Sequence, residues 1–337
     1  MKKVSVLSIL FLICILAGAQ KYYITNLYMY DMFLLNPASA GSNENCYSFS
    51  AFYQNQWMGM DESPTTQILN FQTPLKDNLG MGSYVYNDRN GNMKEFGLHQ
   101  AFSYEILLAK KRRSISTISF GLSFDIEQSK IDESSLVDHP SALGDQAITG
   151  GITAGWGYNS STGILYKYND YQLGFAVTNL FNQNNPLYLN YDEPDLARDY
   201  NISLSSMYKI SSLGIFVEPI IMYRQNSNKD RKLDLTLKGI FPTMDPEYAL
   251  WGLVSYRRTM DYDYGKSLGL GTTIGVNYHR ISFGVEWQLG LTGAQQDLGS
   301  AYQLVLKYVI CNNLKKKAIP CSEVQKFKNA RYSGISW

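Results

Sequence analysis

Charge, histidine, cysteine and long apolar runs are all scarce in this chain. Only 18% of its 337 residues are charged, against about 25% in an ordinary soluble protein. After the first nineteen residues no apolar run approaches the roughly 18 residues that a spanning helix requires, so a helical membrane protein is excluded. Removing Lys2 and Lys3 with that leader leaves 28 basic residues against 29 acidic ones, a formal charge near −1. A chain so balanced lacks the basic face that phosphate neutralisation demands, and nucleic acid is not expected as a partner.

Three histidines, His99, His139 and His279, are the whole supply of imidazole. No Gly-x-Ser-x-Gly elbow accompanies them, so a serine hydrolase has no nucleophile to offer. Glycine pairs such as Gly269 and Gly271 lie inside an alternating strand and not before a helix, which removes the phosphate-cradling geometry of a nucleotide site. They read as room in a curving wall. No histidine is near a cysteine in sequence, and no catalytic residue, metal or cofactor is expected.

Aromatic residues are plentiful at 14%, with 26 tyrosines. The first nineteen residues have two lysines, a 13-residue apolar stretch from Val4 to Leu16, and Ala17-Gly18-Ala19 before Gln20. This is the form of a secretory signal peptide.

Beyond it the dominant signal is alternation. Ile118, Phe120, Leu122, Phe124 and Ile126 face away from Ser119, Gly121, Ser123 and Asp125. Ile281, Phe283, Val285, Trp287 and Leu289 likewise oppose Ser282, Gly284, Glu286 and Gln288. Period two over such lengths predicts strands with one apolar and one polar face. Fourteen are expected, near residues 46–58, 64–74, 79–88, 94–109, 113–127, 150–168, 171–180, 199–210, 213–224, 232–241, 248–258, 267–278, 281–290 and 299–311.

The connections between them alternate in length. The odd ones, 59–63, 89–93, 128–149, 181–198, 225–231, 259–266 and 291–298, exceed every even one except 242–247. Short turns on one side and long loops on the other are the habit of outer-membrane barrels. A face of Gly, Ser, Thr, Asn and charged residues cannot form a dry sandwich core, and lipid requires every strand edge to be hydrogen-bonded. The expected fold is therefore all-β, a closed antiparallel transmembrane β-barrel of about 14 strands in the cell outer membrane. Lipid is its first partner. The domain reading is a signal peptide over 1–19, an N-terminal periplasmic segment over 20–45, a barrel over 46–311 and a basic periplasmic tail over 312–337.

Four stretches point to a family. They are Asn36-Pro37-Ala38-Ser39-Ala40-Gly41-Ser42, Asn55-Gln56-Trp57-Met58-Gly59-Met60, Ser63-Pro64-Thr65-Thr66-Gln67 and Phe71-Gln72-Thr73-Pro74-Leu75. This series resembles the opening of the PorP/SprF family, outer-membrane proteins of the type IX secretion and gliding-motility systems of Bacteroidetes. Gly80 to Asp88, Phe120 to Leu136 and Gly299 to Tyr308 follow in the family's order. Gln54 stands where members often have Arg, and the tail after Asn312 is longer than usual. The resemblance implies a non-enzymatic barrel that assists export or surface attachment of sorting-domain proteins. Its implied partners are that cargo or an adhesin, together with periplasmic and outer-membrane components of the machine. A porin or a hydrophobic-compound channel is the alternative, because fourteen strands can enclose a lumen.

Candidate contact residues come from the rims. Asn55, Gln56 and Trp57 lie near the outer end of the first hairpin, where Trp57 is either an interfacial girdle residue or a partner contact. Asp132, Glu133 and Asp138 crowd one long loop, Asp192 and Glu193 the other. Neither loop has a spaced calcium-binding pattern, and each reads as solvated surface or as a surface for cargo. Lys110, Lys111, Arg112 and Arg113 make the opposite rim basic. Cys46 opens the first strand and Cys311 closes the last, with Cys321 ten residues on. A disulfide is expected among these three, as a bridge from Cys46 across the seam or as a loop from Cys311 to Cys321.

Overall fold

The computed structural model describes residues 27–42, 46–60, 62–76, 78–111, 114–134, 150–181, 187, 196–210, 214–245, 247–260, 267–291 and 300–311. Its strands are β1 (Cys46–Asn55), β2 (Thr65–Lys76), β3 (Leu79–Asn90), β4 (Met93–Lys111), β5 (Ser114–Asp132), β6 (Ile152–Tyr168), β7 (Tyr171–Thr178), β8 (Asp199–Ser206), β9 (Tyr208–Ile210), β10 (Ile215–Asn226), β11 (Arg231–Pro242), β12 (Tyr248–Thr259), β13 (Ser267–Tyr278), β14 (Ile281–Leu289) and β15 (Ala301–Cys311). Each pairs antiparallel with its neighbours, and β1 pairs with β15 from Cys46↔Cys311 to Asn55↔Tyr302. That seam closes the wall. β8 and β9 both pair with β10, so they are one stave interrupted at Met207, and the barrel has fourteen.

The alternation has the meaning expected of it. Phe120, Leu122, Phe124 and Ile126 are exposed on the outer surface, as are Phe283, Val285 and Trp287. Ser119, Ser123, Thr273 and Glu286 are buried on the inner one. Outside, lipid replaces a protein core, so apolar side chains sit on the surface. At the end of the barrel that has the short turns, Tyr47, Tyr104, Tyr168, Tyr171, Tyr208, Tyr248, Tyr278 and Tyr308 all face outward. This ring of phenols matches an interfacial girdle.

Two expectations need correction. The connection read as 89–93 is a two-residue turn at Gly91 and Asn92, because β3 and β4 pair up to Asn90↔Met93. Gly91 takes a φ of 57°, the left-handed conformation that a tight hairpin turn requires. β4 and β5 are also longer than expected, at 19 residues each. Polar alternation continues the ladder into water, where apolar content no longer marks it.

The larger difference concerns the segment read as periplasmic over 20–45. Residues 27–42 lie inside the wall, in three short 3-10 turns at Leu27–Met29, Met32–Leu34 and Pro37–Ser39. Leu27, Phe33 and Leu34 are buried against Phe52, Ile68, Tyr84 and Tyr86 from β1, β2 and β3. Tyr28 and Met29 pack on Met222 and Leu253 from β10 and β12. A segment with this many apolar side chains gains more by entering the lumen than by remaining in water.

Candidate functional site

The lumenal segment is held by local caps and by wall residues on opposite sides of the barrel. Asn36 caps the last turn, its side-chain oxygen accepting from the Ala38 N–H at 2.9 Å, with Pro37 at the first position. The same Asn36 donates to the Ile164 carbonyl of β6 at 3.2 Å. Asp31 caps the middle turn, accepting from the Phe33 N–H. Its second oxygen accepts from Asn70 at 2.9 Å and Gln72 at 2.6 Å, both on β2. Ser103 of β4 donates to the Ala40 carbonyl at 2.6 Å.

The far side is built around two buried carboxylates. The Tyr28 hydroxyl donates to Asp234 at 2.9 Å, and Arg224 pairs with the same oxygen at 2.7 Å. Tyr30 donates to Glu286 at 2.5 Å, which also accepts from Gln303 at 3.1 Å, and lies 2.6 Å from the Thr273 hydroxyl. Burial, and then the adjacent carboxylates, hold both phenols well above the usual tyrosine range, so they remain hydrogen-bond donors at any physiological pH. The segment thus crosses the lumen from β11–β14 to β2, β4 and β6.

Inward-facing glycines make the space. A Cβ at Gly121 would collide with the Pro37 and Ala38 backbone, and one at Gly82 with the Phe33 ring. These glycines, on the polar face of strands that otherwise alternate well, were the available signal for the plug. The Asn36 to Ser42 motif was the other. Its capping pattern, an Asn followed by Pro, marks a turn that has to be held somewhere.

The expected site residues scatter. Asn55 ends β1 and donates to the Ser63 hydroxyl at 3.0 Å across the β1–β2 connection. Gln56 donates its N–H to the Pro64 carbonyl at 2.9 Å. Trp57 has a φ of 54° and is half-buried, and its indole nitrogen is enclosed with no hydrogen-bond partner among the described residues. Asp132 is the last residue of β5 and accepts from the Ser134 hydroxyl at 2.6 Å. The Glu133 N–H donates to the Gly151 carbonyl at 3.0 Å, closing the neck of that loop. Asp138, Asp192, Glu193 and Cys321 lie outside the described residues. Cys46 is disulfide-bonded, and Cys311 stands opposite it in the seam.

Of the imidazoles, His99 points inward and is buried, paired with Asp125 and stacked on Tyr84 at 4.4 Å. His279 occupies the β13–β14 turn with a φ of 51°, 3.3 Å from Glu247.

No curated protein matches the chain. Among solved structures, a FadL homologue of Pseudomonas aeruginosa is 10% identical, with a TM-score of 0.45 over 82% of this chain and 93% of that one. The Ralstonia pickettii toluene transporter TbuX is 10% identical, with a TM-score of 0.46 over 87% and 95%. BamA from Haemophilus ducreyi lacking POTRA domains 1-3 is 10% identical, with a TM-score of 0.39 over 79% and 70%. The family model of the type IX secretion system membrane protein PorP/SprF matches residues 17–308, nearly the whole wall and all of the lumenal segment. The protein is an outer-membrane β-barrel, and the chain belongs to the PorP/SprF family of type IX secretion system membrane proteins.

Proposed function

We propose that the protein is a non-enzymatic component of the type IX secretion and gliding-motility machinery, assisting export or surface attachment of sorting-domain proteins. The family match across residues 17–308 is the observation that supports this most directly. In this reading the long loops after β5 and β7, with Asp132, Glu133, Asp138, Asp192 and Glu193, and the first-hairpin rim at Asn55, Gln56 and Trp57 meet the cargo or adhesin. The short-turn rim faces the periplasm and the rest of the machine.

The alternative, a porin or hydrophobic-compound channel, requires an open path. The segment crossing the lumen between Tyr30–Glu286 on one side and Ser103–Ala40 on the other argues against it.

A deletion strain with an inventory of surface and secreted proteins tests the proposal. Loss of one or more sorting-domain proteins from the surface or medium is expected. An unchanged inventory, together with solute conductance by the purified barrel in planar bilayers, would overturn it in favour of a channel.

A further inference from the structure

On its β3 side the hairpin of β4 and β5 continues past the neighbouring strand, while on the other side β6 stays paired with β5 as far as Ser116↔Tyr168 and the Asn169 N–H reaches the Ile115 carbonyl at 3.0 Å. Tyr104 is the outward-facing girdle residue of β4, and it is also the residue paired with Leu79, the first of β3. The Glu105 N–H still reaches the Asn78 carbonyl at 2.8 Å. Beyond it, residues 106–111 pair only with β5, up to Lys111↔Ser114. Their other edge has no strand beside it among the described residues. Seven residues past Tyr104, at about 3.3 Å each and a tilt near 45°, bring the tip roughly 15 Å beyond that residue.

The composition of this ledge is unlike that of a solvated hairpin. Ile106, Leu107 and Leu108 are consecutive and all exposed, Leu107 at 53% and Leu108 at 54%. A register shift between Leu107 and Ala109 breaks the alternation there, so apolar side chains stand on both faces of the ribbon. Lys110 and Lys111 follow, both exposed, and Lys76 at the end of β2 adds a third cation to the rim. The lipid face does not account for Leu107, which is out of phase with the outward-facing Phe102, Tyr104 and Ile106. An exposed apolar strand edge in water invites another strand, and proteins ordinarily blunt or cover such edges.

We infer that the β4 edge over residues 106–111 is a docking site for an extended acidic and apolar segment of a periplasmic protein, bound by strand addition. Backbone N–H and C=O groups on the open edge supply the main-chain ladder. Ile106, Leu107 and Leu108 take the partner's apolar side chains, and Lys110 and Lys111 take its carboxylates. The chain's own tail is a poor occupant. Lys315, Lys316, Lys317, Lys326, Lys328 and Arg331 outnumber Glu323 there, and like charges repel. The inference rests on the short-turn rim being periplasmic, and not on the identity of any cargo.

The test uses the full mature chain in neutral detergent micelles and a synthetic peptide of alternating Val and Glu. Hydrogen exchange of residues 105–111 is read with and without it. Protection should rise at least tenfold over 106–111, and should be lost with a Lys/Val peptide and with a Val/Glu peptide N-methylated on alternate amides. The Lys110→Gln, Lys111→Gln double variant, exposed and outside the wall, should fold normally and weaken peptide binding at least tenfold. Equal protection by the methylated peptide would remove strand addition. Protection induced only by phosphatidylglycerol micelles would make the ledge a lipid contact. Protection that rises with protein concentration alone would assign it to a second copy of this chain. Each of those results overturns the inference, and none of them bears on the secretion phenotype of a deletion strain.

Discussion

Cys46 and Cys311 stand directly opposite each other at the end of the seam between β1 and β15, and Cys46 is disulfide-bonded. Non-reducing peptide mapping of protein extracted with a thiol blocker should yield a cross-linked peptide pair containing Cys46 and Cys311, with Cys321 alkylated. A Cys311–Cys321 peptide would refute the seam pairing. Replacing both seam cysteines by Ser should leave a folded barrel whose unfolding free energy is lower by about 2–4 kcal/mol, the usual range for a structural bridge.

Val285 is exposed on the outer face of β14, between Phe283 and Trp287. Val285→Arg should cost about 2–4 kcal/mol if the position is near the bilayer midplane. Urea unfolding in lipid vesicles and heat-modifiable gel mobility measure it. A variant of unchanged stability and membrane yield would contradict the assigned face.

Tyr30→Phe removes the donor to Glu286, whose remaining neighbours include Gln303, Gln288 and a distant Arg257 at 3.8 Å. Loss of one donor to a buried charged acceptor should weaken the seating of the segment by about 1–3 kcal/mol. Maleimide labelling of a cysteine placed at Ala38, slow in the parent, should accelerate in the Tyr30→Phe background.

Gly121→Val fills the space now taken by Pro37 and Ala38 while adding a β-branched residue to a strand that favours one. The wall should still form and the segment should be displaced. Planar bilayer recordings should then show conductance that the parent lacks, and a silent Gly121→Val barrel would mean that the lumen is closed by something other than residues 27–42.

Removing residues 135–149 should leave the barrel intact, because the Glu133 N–H to Gly151 carbonyl bond already closes the neck of that loop. Export or attachment of the cargo should fall. A strain with unchanged secretion would move the contact surface to the β7–β8 loop or the first hairpin.

What the amino-acid order determined by itself is the wall. Period-two patterning at Ile118 to Ile126 and at Ile281 to Leu289 specifies which face meets lipid, because a one-residue slip would expose every Ser and Gly to hydrocarbon. Fourteen staves, the β1–β15 seam and the opposition of Cys46 and Cys311 follow from that patterning and from even strand number. Tertiary structure alone decided what fills the barrel. Tyr28, Tyr30, Asp31 and Asn36 have no periodic pattern that names their partners. Those partners, Asp234, Glu286, Gln72 and Ile164, are brought together only when the sheet closes. It also decided where β4 outruns β3, since Ile106 to Ala109 read in sequence as the end of an ordinary strand and Lys110 and Lys111 as the turn after it. Their exposure depends on where a neighbouring chain segment stops.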